Sequence, residues 1–429
     1  MSETPSAGPT EHSERVHALD ALRGFALVGV FLSNSLSSFN GRLLMPREQA
    51  LALAAAPLDV AVNSLFGLLI DQKFVTLFTF LFGLGFALQL TRAEAKGASI
   101  VPMYRRRLAV LFGIGLVHMF GVWVGDILAT YAVVGFMLLP FRKLSDKAVL
   151  IWAAVLLFAF PITFTVGQRV LPGMLHGAAE AERAQKATRD EEAAHRAEYL
   201  AGLSSDSVVT SQLANVRFGW AGMNNPSRPL LLSIVLGRFL LGLWAGRRGL
   251  IQDVERHRKL LRRLAAWGLG VGSVIGLLVM VLNLVYRGVA SPPGWLAWLR
   301  TPRDVGYLFM GTGYAAAFAL LFQKERWRKV LGVFTPAGRM ALTCYLMQSV
   351  MGLCVYAGWG LGLIARTPPS RTVLYCAVLF AAQLAFCHWW LARFRFGPVE
   401  WLWRSLTYGR AQSMRLAPAR EASAAGVAG

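Results

Sequence analysis

A lone histidine, His118, sits inside the apolar stretch RRRLAVLFGIGLVHMFGVWVGDILATY, residues 105–131. A partly desolvated imidazole, with an ordinary pKa of about 6.5, is neutral and can take a proton from a hydroxyl or an amine. Eleven residues beyond Arg107, a helix places it roughly 16 Å deep, near the middle of a hydrocarbon core. Asp126 would stand roughly 12 Å higher if the helix ran on, out of bonding reach. Gly121 and Gly125 can bend the chain and shorten that gap. Arg23 and Asn34, also eleven apart, fall within about 20° of one helix face. Arg238, Tyr131 and Gln348 are further polar groups set in apolar runs. The expectation is a single chamber where Arg23, Asn34, His118, Asp126 and Arg238 converge, with His118, Asp126 and Asn34 at the chemistry and Arg23, Arg238, Tyr131 and Gln348 on the substrate. Each has a structural alternative. A buried histidine can simply pack, Asp126 can cap the next helix, Arg23 can snorkel, and Asn34 and Gln348 can join helices by hydrogen bonds. Arg238 can pair with a carboxylate.

The elements that must hold these groups are membrane helices. Of 429 residues, 55% are hydrophobic and only 16% charged, with a mean hydropathy of +0.48; a soluble chain carries nearer a quarter charged residues. The apolar residues come in blocks of about 16 to 25, separated by arginine-rich punctuation, as helices that cross a bilayer require. The fold class is all-α, a polytopic helical membrane protein with about 10–11 transmembrane helices. The net charge of +21 would suggest nucleic acid in a soluble chain. Here the basic residues sit at span ends, so they read as cytoplasmic flanks and no nucleic-acid partner is expected. No cleavable signal is evident before Leu19. Cys344, Cys354, Cys376 and Cys387 lack CxxC spacing, so no metal site is expected.

Charge asymmetry orders the segments. Residues 1–18 form a disordered cytoplasmic tail, 19–167 an N-terminal transmembrane bundle with spans near 107–123 and 126–141, and 168–228 a polar helical insert outside. Residues 229–392 form a C-terminal transmembrane bundle, and 393–429 a cytoplasmic interfacial helix and tail. Both termini lie in the cytoplasm of a bacterial inner-membrane protein. The stretch 58–70, bracketed by an inside N-terminus and a basic loop at 91–107, is expected to be an interfacial or re-entrant helix on the outer side, with an eleventh span as the alternative. The GxG pairs Gly83/Gly85, Gly113/Gly115 and Gly311/Gly313 are too short for a dinucleotide fingerprint and mark close helix approach.

LDALRGFALVGVFLSN, FTFLFGLGFAL, GIGLVHMFGVWVGDILATYAVVG, GRMALTCYLMQS and GPVEWLWRSLTYG occur in this order across nearly the whole chain. Together they resemble the bacterial YeiB-like family of integral membrane proteins, classed as a domain of unknown function. LDALRG also resembles the first span of the transmembrane acyltransferase superfamily, whose members move an acyl group from a cytoplasmic donor, commonly acyl-CoA, to a sugar or other acceptor. That resemblance implies acyl-CoA as co-substrate, no tightly held cofactor, and a small-molecule, lipid or glycan acceptor. The O-acyltransferase branch carries an Arg, ten residues, then a His base. Arg23 matches the Arg, but Asn34 occupies the His position, and an amide cannot accept that proton. His118 is then the remaining buried base, and Arg105, Arg106 and Arg107 are candidates for the donor phosphates, since guanidinium forks fit phosphate; ordinary topology signalling is their alternative. The leading expectation is a membrane acyltransferase. A transporter for a small anionic or zwitterionic solute is the alternative, and an envelope assembly or signalling protein a third reading.

Overall fold

A computed structural model describes residues 17–95, 97, 99–289 and 294–416; the polar tails expected at 1–18 and at the C-terminus lie largely outside them. α1 (His17–Asn34) runs on through a π turn (Ser35–Phe39). The short α2 (Arg47–Leu53) and α3 (Pro57–Leu69) follow, and α4 (Lys73–Ala95) returns. α5 (Val101–Gly121) and α6 (Leu128–Leu138) form a hairpin. α7 (Asp146–Ala154), a π turn (Val155–Ala159) and α8 (Phe160–His176) make one rod. α9 (Ala178–Leu203) and α10 (Val208–Met223) form a helical cap. The second half holds α11 (Arg228–Arg247), α12 (Arg258–Val285), α13 (Arg300–Phe322), α14 (Glu325–Gly332), α15 (Thr335–Arg339), α16 (Ala341–Tyr356), α17 (Pro369–Leu391) and α18 (Pro398–Tyr408). No strand forms among the described residues.

Among the described residues, seven helical stretches are long and apolar enough to cross a membrane: α1 with its π turn, α3–α4, α7–α8, α11, α12, α13 and α17. Shorter α16 packs with them, as do α5, which carries three arginines in its second turn, and the eleven-residue α6. α1 is wrapped by other helices, whereas α12 shows an apolar flank of Trp267, Val274, Leu278 and Val281. An apolar outside is what a lipid solvent requires. The chain is an all-α polytopic membrane protein.

Three details differ from, or sharpen, the sequence reading. α8 continues to His176, past the span edge at 167, because Val166, Val170, Leu171 and Leu175 extend its apolar side. α5 stops at Gly121, so residues 122–127 are a turn between the hairpin helices. The stretch 58–70 is a separate thirteen-residue helix, about 20 Å long against a core of about 30 Å. Gln72, with φ of +59°, breaks it from α4. It leans on the far ends of two helices: Asp59 Oδ1 accepts the Ser370 N–H at 2.8 Å, and Leu68 meets Gly276.

Backbone-to-backbone approach sets the bundle. A Cβ on Gly83 of α4 would lie 2.1 Å from Phe239 O of α11, and one on Gly242 of α11 2.1 Å from Phe80 O. Gly115, Gly311 and Gly313 also meet a neighbouring segment closely, but Gly113 has nothing within 4 Å. Gly85 faces the Arg23 guanidinium, 3.4 Å from where its Cβ would be, and so leaves room for that side chain.

Candidate functional site: an arginine-lined cavity and a histidine–aspartate pair

The buried face of α5 carries Tyr104, Leu108, Leu111, Gly115 and His118, a spacing of three and four residues that keeps one side inward. At its end the chain turns within one residue of Gly121: Val122 and Trp123 both donate their N–H to His118 O, at 2.9 and 2.8 Å. This turn brings Asp126 back. Its Oδ2 lies 2.8 Å from His118 Nδ1, with the two side chains 1% and 0% exposed. The helical extrapolation that put Asp126 out of reach is corrected, because the helix does not continue. Asp126 Oδ1 accepts the Ala129 N–H at 2.8 Å, so the carboxylate also caps α6. A carboxylate only accepts, so this contact suits the Nδ1–H tautomer, whose Nε2 carries a lone pair. Nε2 is buried and has no hydrogen-bond partner among the described residues.

The cap holds this turn in place. Asn215 of α10 accepts the Val124 N–H at 2.7 Å and donates to Met119 O at 2.9 Å. Gln212 donates to Phe120 O, and Tyr199 stacks on Phe218 at 4.5 Å between ring centres.

At the opposite end of α5, where α1, α16 and α18 begin, a cavity of about 310 Å³ penetrates the bundle. Arg23, Arg92, Arg107, Arg339 and Arg404 line it, against Asp20 and Glu400. Arg23 bonds Asp20 at 2.9 Å. Arg107 donates to Gln89 Oε1 at 3.1 Å and lies 4.0 Å over the Trp403 ring. Leu128, Tyr131 and Tyr345 line the deeper part. Tyr131 shares a 2.6 Å hydrogen bond with Thr79. Tyr345 connects cavity and histidine: its ring centre is 5.4 Å from that of His118, its hydroxyl donates to Gly125 O at 3.2 Å, and the Ile127 N–H reaches it at 3.3 Å.

Glu400 of α18 caps α16. Its Oε1 accepts the N–H groups of Leu342 and Thr343 at 2.6 and 3.0 Å, and Oε2 accepts the Thr343 hydroxyl at 2.5 Å. Burial raises its carboxyl above the usual range, and these hydrogen bonds oppose the rise. Glu400→Ala leaves two helix-terminal N–H groups without a partner, and a buried unsatisfied donor costs about 1–3 kcal/mol. A lower melting temperature in detergent checks this, and Glu400→Gln, which keeps one acceptor, loses less.

The expected single chamber therefore takes a different form. Arg23, Tyr131 and Arg107 line the cavity, and His118 with Asp126 adjoins it through Tyr345. Arg105 and Arg106 are exposed, because consecutive helical residues turn by about 100° and one of three can face inward. Asn34 lies where α1 passes into its π turn and is not on the cavity wall. Gln348 bonds Gln383 of α17 at 2.9 Å, and Gln383 in turn donates to Cys344 O at 3.0 Å, so it ties α16 to α17. Arg238 is buried in α11, where the acidic charge of Asp304 of α13 acts on it, and lies outside the cavity wall. Arg92, Arg339, Arg404, Tyr345 and Glu400 were not singled out as site residues. Four of these five lie within motifs that carried the resemblance or border them, but no spacing rule tells which residues of those motifs face inward.

The chain has relatives of matching length. It is 34% identical over 417 residues to the uncharacterised protein YxaH of Bacillus subtilis strain 168, covering 94% of this chain and 96% of the relative. It is 29% identical over 411 residues to the uncharacterised protein YeiB of Escherichia coli K12, covering 92% and 96%. A 39.9 kDa protein from the amylase 3′ region of Bacillus acidopullulyticus is 27% identical over 405 residues, covering 94% and 96%. No solved structure matches. Residues 245–410 fit the family described as protein of unknown function DUF418. The chain belongs to this YeiB-like DUF418 family of membrane proteins.

Proposed function

We propose that the protein is a membrane acyltransferase that takes its acyl group from a cytoplasmic acyl-CoA-type donor at the arginine-lined cavity. The observation that carries this reading is the continuity from five arginines at the cavity to a buried His–Asp pair through Tyr345. Guanidinium groups grip phosphates in a fork, and the excess of five arginines over two carboxylates gives the cavity a positive field suited to a polyphosphate donor. The same end carries the basic loops, which by the positive-inside rule supports reading it as the cytoplasmic side of a bacterial inner-membrane protein. Arg107 and His118 lie eleven residues apart on one face of α5, roughly 16 Å along its axis. Tyr345 stands between the cavity and the imidazole, so donor and base meet only once that side chain moves.

In the reaction His118 Nε2 takes the proton of an acceptor hydroxyl or amine as that atom attacks the thioester carbonyl. The carbon–sulfur bond breaks, and the imidazolium returns the proton to the leaving thiolate. Asp126 holds Nδ1–H and stabilises the transient positive charge, the part a carboxylate plays behind a histidine base. Incubation of the purified protein with acyl-CoA tests this. Release of free CoA with an acylated acceptor supports transfer; absence of CoA binding at high protein concentration, with solute flux in proteoliposomes, supports a transporter instead. That second reading draws on a separate cavity at the cap end, which shares no lining residue with the first.

A further inference from the structure

The cap end holds a chamber of about 630 Å³ between α2, α3, the start of α4, the end of α12 and the start of α13. Among the described residues, five cationic side chains line it, Arg42, Arg47, Lys73, Arg287 and Arg303, against one carboxylate, Asp71. That carboxylate accepts from the Tyr307 hydroxyl at 3.2 Å. Among the described residues these cations contact neutral groups and an aromatic ring. Arg42 donates to Asn63 Oδ1 at 2.7 Å, and its buried Nε has no hydrogen-bond partner among the described residues. Arg47 donates to Tyr286 O at 2.8 Å, and Arg287 to Ala54 O. Lys73 donates to Gly67 O and lies 4.6 Å from the centre of the Tyr307 ring. Asp304 of α13 acts on both Arg238 and the chamber residue Tyr307 without being among the lining residues, and Asp59 accepts the Ser370 amide N–H.

Neutral carbonyls orient guanidinium groups without cancelling their charge, and Asp71 is one carboxylate acting on Lys73 against five cations. Like charges held together in a low-dielectric setting repel. An anion with several oxygens relieves this, and forked donors match phosphate. The chamber is much larger than a bare oxyanion needs. Its α12 wall is apolar, with Ile275, Val279 and Leu282, and the same helix presents Val274, Leu278 and Val281 to lipid.

We infer that the chamber between α3, α12 and α13 is a binding site for a phosphate group, gripped by Arg42, Lys73, Arg287 and Arg303, on a ligand whose apolar part lies along α12. The inference does not depend on acyl transfer at the other end, since the two cavities share no residue.

The full chain in phosphatidylcholine nanodiscs tests it in two arms: inorganic phosphate by titration calorimetry, and phosphatidylglycerol doped into the disc and read by native mass spectrometry as retained lipid. Saturable binding in either arm that falls about tenfold or more in both Arg42→Gln and Arg303→Gln, as loss of a charged hydrogen bond predicts, supports the site. Arg105→Gln, an exposed arginine near the other end, behaves as the wild type. Retention of the lipid alone identifies a headgroup as the source, and phosphate binding alone a soluble phosphate. Arg303 is exposed and its aromatic neighbour is Tyr307 at 5.8 Å, so its variant decides the matter if Arg42→Gln does not fold. Absence of binding in both arms, or equal binding by wild type and Arg303→Gln, overturns the proposal.

Discussion

His118→Ala is expected to lower acyl transfer by roughly 10²–10⁴-fold, the usual contribution of a positioned general base, while CoA binding persists. The two effects separate because the imidazole is not on the cavity wall, whereas Arg23, Arg107 and Arg404 are. Asp126→Asn gives a similar loss by another route. The new amide can still cap α6 through its oxygen, in place of the carboxylate oxygen now 2.8 Å from the Ala129 N–H. Its NH₂, however, would face Nδ1 and favour the tautomer protonated on Nε2, which is no base. Stopped-assay measurement of CoA release, with circular dichroism to show an intact fold, checks both variants. Wild-type turnover in His118→Ala would remove the histidine from the chemistry.

Gly338→Ala is the substitution expected to damage the fold most. A Cβ there would stand 1.7 Å from Asp20 O and 2.9 Å from Gly24 N, so α15 meets α1 backbone to backbone. From the other side a Cβ on Gly24 would meet Phe334 O at 2.0 Å. Backbone cannot step aside as a flexible side chain can, and overpacking costs about 1–3 kcal/mol or more. The damage also reaches the cavity, because Asp20 and Arg339 line it. Gly113→Ala is the matched control: nothing lies within 4 Å of its Cβ position, and alanine improves helix propensity by about 0.5–1 kcal/mol. The expected outcome is a large fall in melting temperature and yield for the first and no loss for the second.

The fold class was legible because lipid imposes long apolar helices with charged punctuation, a pattern that survives without tertiary knowledge. His118 was legible for the same reason, as an ionisable group where lipid makes it expensive. The arginine triplet was legible only as a set. Its phase relative to His118, eleven residues on, already points to Arg107, and the buried line through Tyr104, Leu108 and Leu111 agrees. The His–Asp contact was hidden by the assumption of a continuing helix, which the double hydrogen bond to His118 O ends. Arg339, Glu400 and Arg404 could not be read as site residues, because α15 and α18 must fold back against α1, α5 and α16 before they face anything. Arg42, Lys73 and Arg287 were likewise scattered over loops and helix ends, and meet only when α3 lies across α12 and α13.

The most direct measurement is equilibrium binding of CoA to the purified protein, compared with Arg107→Gln and Arg105→Gln. Arg107 faces the cavity over Trp403 and its neighbour Arg105 faces outward, so the pair separates a built phosphate site from general basicity. A donor cavity predicts saturable binding weakened about 10- to 100-fold by Arg107→Gln, the worth of a charged hydrogen bond, and unchanged by Arg105→Gln. No saturable binding, or equal weakening by both substitutions, would contradict it.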